Sequence, residues 1–198
     1  MTLPSLLRRV GLDVPRGVSI DGRILTGRAA TAAIASGAAT SVERHTFHGG
    51  DDPPTLHIRN AWWQDPAARR TDISAVGHAF PHFQLDDSDG AHNWRGTIDT
   101  GRGRFVIHVV GDPGGGLPHV VPVLPRALGR HEGRRGFRRA EHLYASGNLC
   151  VADISDWDPD LHTSATAIAW AAHWLAAYTD WCLGGPWPTD GYQPRAAA

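Results

Sequence analysis

The 198-residue chain carries 19 basic against 20 acidic side chains, so no global field draws it to nucleic acid or to a membrane surface. Its 41 % of hydrophobic residues, eight Trp among them, suffice for a real core in one domain or two small ones. Two cysteines allow at most one disulfide, which excludes a disulfide framework.

The opening "MTLPSLLRRVGLDVP" lacks a charged leader followed by an apolar run, so no secretory leader is expected. Within it "LPSLLRRV" reads as a short amphipathic turn. "GVSIDGRIL" reads as a small hairpin about Asp21 and Gly22, and "GRAATAAIASGAAT" has weak helical content without a strong apolar face. "HTFHGGDDPP" gathers Gly, Asp and Pro as loops do. His45 and His48 lack the Cys or carboxylate spacing of a metal site and read as part of a solvated loop.

From about residue 61 the pattern tightens. "DPAARRTDISAVGHAF" predicts a helix leading into the turn "PHFQLDD". In "NWRGTID" the residues Trp94, Gly96 and Ile98 alternate, as one face of a strand does. "RFVIHVV" is an apolar, β-branched strand, and "HVVPVLP" is a further one. Pro122 and Pro125 place that last strand at the end or edge of a sheet. Short Gly-rich turns join the runs, so the prediction is an antiparallel meander.

"RALGRHEGRRGFRRAEH" follows, with six Arg between Arg126 and Arg139. Such a cluster is a solvated loop or a docking patch for an acidic partner, with Arg134, Arg135, Arg138 and Arg139 as the candidate contacts. Nucleic-acid binding lacks support, because Phe137 is the only aromatic interleaved with the arginines. The strongest helix then runs from Ser164 to Leu183, capped by Thr163 or Ser164 and ended by Gly184. At 100° per residue its Trp170, Trp174, Tyr178 and Trp181 share one side with Ile168, Ala171, Leu175 and Cys182, which predicts a buried, inert Cys182. Thr166, His173 and Asp180 point the other way. The apolar run "TAIAWAAHWLAAY" is too short to span a bilayer and contains His173, so a cytoplasmic protein is expected.

Cys150 stands in "EHLYASGNLCVAD", just after a Gly-Asn turn. A thiol becomes a strong nucleophile when it ionises beside cationic groups. His142 and the arginines lie upstream, Asn148 can donate a hydrogen bond, and Asp153, Asp156 and Asp158 offer a general base. A small buried hydrophobe is the competing reading of the same cysteine.

The order of these features resembles the ubiquitin-conjugating enzyme fold. In that family a helix precedes a four-stranded antiparallel meander. A proline-rich edge, a histidine-containing segment, a "G-x-[IL]-C" turn, a "W-x-P" motif and a helix follow. Here "GNLC" supplies Gly147, Leu149 and Cys150, and "WDP" supplies Trp157 and Pro159. The segment from "FPHFQL" to "TAIAWAAHWLAAYTDWCLGGPW" is similar to a prokaryotic branch of the family, and the resemblance covers about residues 66–187.

The resemblance implies an α+β fold and three regions: an N-terminal extension at 1–60, a ubiquitin-conjugating enzyme-like domain at 61–187 and a flexible tail at 188–198. It implies that Cys150 accepts the C-terminal acyl group of a ubiquitin-like protein from an activating enzyme and passes it to a target nucleophile. Trp157 and Pro159 would then belong to the substrate-binding surface. The protein itself would need no cofactor and no metal, since ATP is used by the activating partner. The prokaryotic branch implies bacterial operons, some linked to phage defence. Family members commonly carry "H-P-N" upstream. This chain has no such Asn, and His142 stands at the corresponding distance, able to donate one N–H to an oxyanion.

All 19 basic residues are Arg, as a GC-rich genome would also produce. An acyl-thioester carrier without Lys keeps only its N-terminal amine as an internal acceptor. Two rivals remain: a non-catalytic binding module of the same fold, and a Cys–His hydrolase.

Overall fold

A computed structural model describes residues 14–53 and 61–193. The amphipathic turn expected at residues 3–10 and the part of the tail beyond residue 193 lie outside them. The central sheet follows from alternation. Strands β5 (Gln84–Asp86), β6 (Asn93–Asp99), β7 (Arg104–Val110) and β8 (His119–Leu124) pair antiparallel in sequence order; β1 to β4 precede them and are given below. Trp94 and Ile98 from β6, Phe105, Ile107 and Val109 from β7, and Val120 from β8 face inward. Gly96 leaves room on β6 for the Phe83 ring, which a Cβ there would meet at 2.4 Å. Pro122 lies on β8 at the sheet's edge, as its missing N–H requires.

Among the described residues three α-helices complete the α+β architecture: α1 (Gly27–Ala35), α2 (Pro66–Ala79) and α3 (Ser164–Cys182). Helix α2 begins where Asp65 accepts the Ala67 N–H at 2.9 Å and Pro66 presets the first turn. From its interior, Asp72 accepts hydrogen bonds from His92 Nε2 (2.8 Å), Trp94 Nε1 (2.9 Å) and the Ser164 N–H (2.6 Å). Burial alone would raise the Asp72 pKa, but these donors hold it below the ordinary carboxylate value. One carboxylate thus ties α2, β6 and the start of α3 together.

The N-terminal region departs from expectation. The hairpin about Asp21 and Gly22 forms from β1 (Arg16–Ser19) and β2 (Ile24–Thr26), and β3 (Ala39–Ser41) pairs on the other side of β1. The alanine-rich run assigned little helix becomes α1, whose Ile34 packs where Gly17 has no side chain. From residues 14–53, Val18, Val42 and Phe47 belong to the same core cluster as Trp170 and Trp174. The tail expected to be flexible from residue 188 is anchored as far as Tyr192, because β11 (Gly191–Tyr192) pairs with β4 (His45–Thr46) and Tyr192 is buried.

This N-terminal layer also corrects the reading of α3. His173, placed on a polar side, is buried, because β1 and residues 45–47 cover that side. The helix is buried nearly all round, as one sandwiched between two layers must be. Cys182, expected in the buried arc, is exposed at the last turn. His45 is likewise buried rather than solvated. No helix among the described residues is long and apolar enough to cross a membrane.

Candidate active site around Cys150

The chain reverses at Gly147, whose φ of +96° only glycine adopts easily. Leu143 and Leu149 then face each other in an antiparallel bridge, and Leu149 donates its N–H to the Val120 carbonyl at 2.8 Å on the free edge of β8. The proline-bearing edge of the sheet is therefore the ledge on which the cysteine turn sits. Alternation about this bridge puts Leu143 and Leu149 on the core face. Cys150 is buried beside Leu149, while His142, Tyr144 and Asn148 are partly exposed.

Cys150 is 1 % exposed. Its N–H donates to the His142 carbonyl (3.1 Å), which also accepts the Trp174 indole N–H (3.0 Å), so α3 fixes the turn from below. The thiol lies 3.7 Å from the Ala152 carbonyl oxygen. Across the turn stands Tyr144, whose phenol feels the Cys150 side chain. Burial first, and Cys150 second, push the Tyr144 phenol well above its ordinary value, so it remains a proton donor. Sequence reasoning passed over Tyr144. Its signal was a position three residues before Gly147, which any tight turn there brings opposite Asn148 and diagonal to Cys150.

His142 stands directly opposite Cys150, but its φ of +55° swings the ring out of the strand face. Its Nδ1–H donates to the His48 carbonyl (2.7 Å), its Nε2 lies 3.3 Å from Asp190, and Trp187 packs against it. The Asn148 carbonyl accepts the Tyr144 N–H at 3.0 Å. The Asp156 side chain is 6 % exposed; its carboxylate accepts the Thr46 N–H at 2.7 Å and lies 3.8 Å from Arg44. Trp157 donates to the Gly115 carbonyl at 2.7 Å and, with Pro159, lines a cavity of about 330 Å³ that also includes Trp62, Asp72 and His162.

The arginine run is no loop. Strands β9 (Gly129–His131) and β10 (Phe137–Arg139) form a hairpin. Arg134 and Arg135 are exposed in its tip. Arg138 pairs with Glu132 and Glu141, and Arg139 donates to the carbonyls of Tyr144 and Ala145 at the cysteine turn. Two of the four candidate partner contacts are thus engaged within the chain.

Against the outer edge of the turn lies a strap, residues 48–52. Ala145 donates to the Gly50 carbonyl (2.8 Å), Gly50 donates to the Leu143 carbonyl (3.5 Å), and Asp52 accepts the Ser146 N–H (2.9 Å) and hydroxyl. His48 lies 3.2 Å from Asp153, three residues beyond Cys150. Asp153 sits below its ordinary pKa, chiefly because Ser155 donates to it through both hydroxyl and backbone. Among the described residues no group of three or more His, Cys, Asp or Glu is arranged to hold a metal ion.

No curated protein and no solved structure matches the chain. The family model of the type II CBASS E2 protein matches residues 72–194, a span that includes the meander, the cysteine turn and α3. With more than half of its length inside that match, the chain belongs to the type II CBASS E2 family, a bacterial E2-like family of anti-phage defence.

Proposed function

We propose that this protein is an acyl carrier of ubiquitin-like conjugation, with Cys150 as its nucleophile and an E2-type fold around it. The observation that carries the reading is the place of Cys150. It follows a glycine turn docked on the edge of a four-stranded antiparallel sheet, within the residues matched to the E2 family.

In the proposed reaction the Cys150 thiolate attacks the thioester carbonyl of a ubiquitin-like protein held by its activating enzyme. A new S–C bond forms, the old one breaks, and the departing enzyme thiolate takes up a proton. ATP is consumed by the activating partner, in the cytoplasm. A target nucleophile then attacks the Cys150 thioester and releases the thiol. Tyr144 stands across the turn from the reacting sulfur, and its O–H serves the developing oxyanion that "H-P-N" serves elsewhere. His142 acts as a positioning residue, since its carbonyl holds the Cys150 N–H while its ring is directed to His48 and Asp190. Asp156 holds Thr46, and through it the segment that leads into the strap. The exposed Arg134 and Arg135 offer an acidic partner its first contact.

The test is a thioester trap with the activating enzyme and ubiquitin-like protein of the same defence system plus ATP. A mass-shifted band that reductant removes, and that Cys150→Ala never forms, is expected. If the activating enzyme charges itself and this chain gains no such band, the reading is wrong. A non-catalytic binding module is the second reading, favoured by the burial of the thiol. It requires that wild type and Cys150→Ala support conjugation equally.

A further inference from the structure

A thiol at 1 % exposure cannot receive a protein-sized acyl donor, so the state described here is closed. The contacts around it identify what has to move. Residues 48–52 are bonded to the turn on one side of Cys150, through Leu143, Ala145 and Ser146. His48 reaches Asp153 on the other side. The thiol is thereby bracketed by a segment that precedes it by about a hundred residues in sequence.

We infer that the 48–52 strap is an autoinhibitory cover of Cys150, released as a unit while residues 45–47 stay in place. This rests on the reading of Cys150 as the nucleophile. Its chemistry suits a releasable element. Gly49 and Gly50 both adopt left-handed φ, +102° and +113°, and Gly49 passes so close that a Cβ would meet the His142 Cα at 3.1 Å. The side-chain links are exposed and polar: His48 is 53 % and Asp153 37 % exposed. Just before the strap, Phe47 is 2 % exposed in the core and the Thr46 N–H is held by Asp156. Strap release therefore breaks surface polar contacts and leaves the core intact. A partner that competes for the Leu143 carbonyl and the Ala145 N–H, or for Asp153, uncovers the thiol.

The test uses the full chain carrying Cys182→Ser, which leaves Cys150 as the only thiol. Alkylation by iodoacetamide is followed by intact mass for this parent and for His48→Ala, Asp52→Ala and Gly50→Ala, with the denatured chain as the reference rate. A Cβ at Gly50 meets nothing within 4 Å, so that substitution acts through its φ alone. The parent is expected to react at least tenfold more slowly than the denatured chain. Each variant should react severalfold faster than the parent while keeping its unfolding midpoint.

A parent already at the denatured rate, or three variants at the parent rate, overturns the proposal. So does a variant whose faster reaction tracks global unfolding. Charging by the activating enzyme is scored separately. Faster alkylation without charging in any variant leaves the cover standing and removes the conjugating role. Equal alkylation with normal charging does the reverse.

Discussion

His45 and His48 lie three residues apart in one short segment, yet they inhabit different chemistries. His45 is fully buried; His48 is half exposed. The His45 Nδ1–H donates to the Glu43 carbonyl at 2.8 Å, leaving Nε2 to accept from His173 Nδ1 at 2.9 Å, while His173 Nε2 accepts from Arg16. Burial holds the His45 ring in its neutral form at ordinary pH. The His48 ring meets a surface carboxylate, Asp153, its carbonyl accepts from the His142 ring, and a glycine pair follows it. The difference teaches how one segment can be both anchor and latch: burial fixes the first half, and solvated polar contacts hold the second. Salt bridges of the second kind contribute about 0–1 kcal/mol each, whereas buried aromatic packing contributes several.

Phe47→Ala tests the anchor most severely. It removes a 2 %-exposed ring packed against His45, His142 and His173, and a loss of about 3–5 kcal/mol in denaturant unfolding is expected. A loss below about 1 kcal/mol would place Phe47 with the strap instead.

Acid sharpens the contrast next. Burial, aided by Arg16 and opposed by the Glu43 hydrogen bond, lowers the His45 pKa from 6.5 to about 4. The unfolded chain therefore takes up this proton first as pH falls. The contribution is complete above about pH 6.5 and is lost on the way down to about pH 4, on the order of 3 kcal/mol in all. Unfolding free energies across that window should fall with this slope in the wild type. His45→Phe should flatten it, whereas His48→Ala should leave it in place.

How much of this was legible beforehand divides along the same line. The meander could be read because apolar alternation and glycine turns are local signals, and α3 because Thr163 and Gly184 mark its ends. The Cys150 turn could be read from Gly147 and the residues around it. What escaped depends on residues brought together from far apart. A helical wheel, which knows one covered face, points His173 away from the aromatic stripe, and here His45, 128 positions earlier, covers a second. Cys182 fell on the apolar arc but beyond the end of the packing that would bury it. The arginine run hid a hairpin because its turn is made by Gly133 and Gly136 at positive φ, while charge alone suggested a loop. Tyr144 needed the strand register, which only the fold supplies.

Asp156→Ala probes the joint between the two halves. Its carboxylate is the acceptor for the Thr46 N–H, and removing it strands a partly buried donor, at a cost of about 1–3 kcal/mol. Cys150 alkylation should rise less than in His48→Ala, because the strap's own contacts remain. A larger rise would mean that the latch hangs from Asp156 rather than from His48.

The smallest effect on stability belongs to the strap itself. His48→Ala and Asp52→Ala remove exposed polar contacts, and the unfolding free energy should change by no more than about 0.5–1 kcal/mol. Tyr144→Phe keeps the ring and loses the hydroxyl, so it separates access from chemistry. Alkylation should stay near the parent rate, because the ring still fills its place beside the thiol. Acyl transfer from a charged Cys150 should slow by about 100-fold, the lower end of what removal of one oxyanion donor costs. Were both rates to rise together, Tyr144 would be part of the cover. Were neither to change, the oxyanion would take its hydrogen bond from another donor at the turn, and Asn148, two residues before Cys150, is the next to substitute.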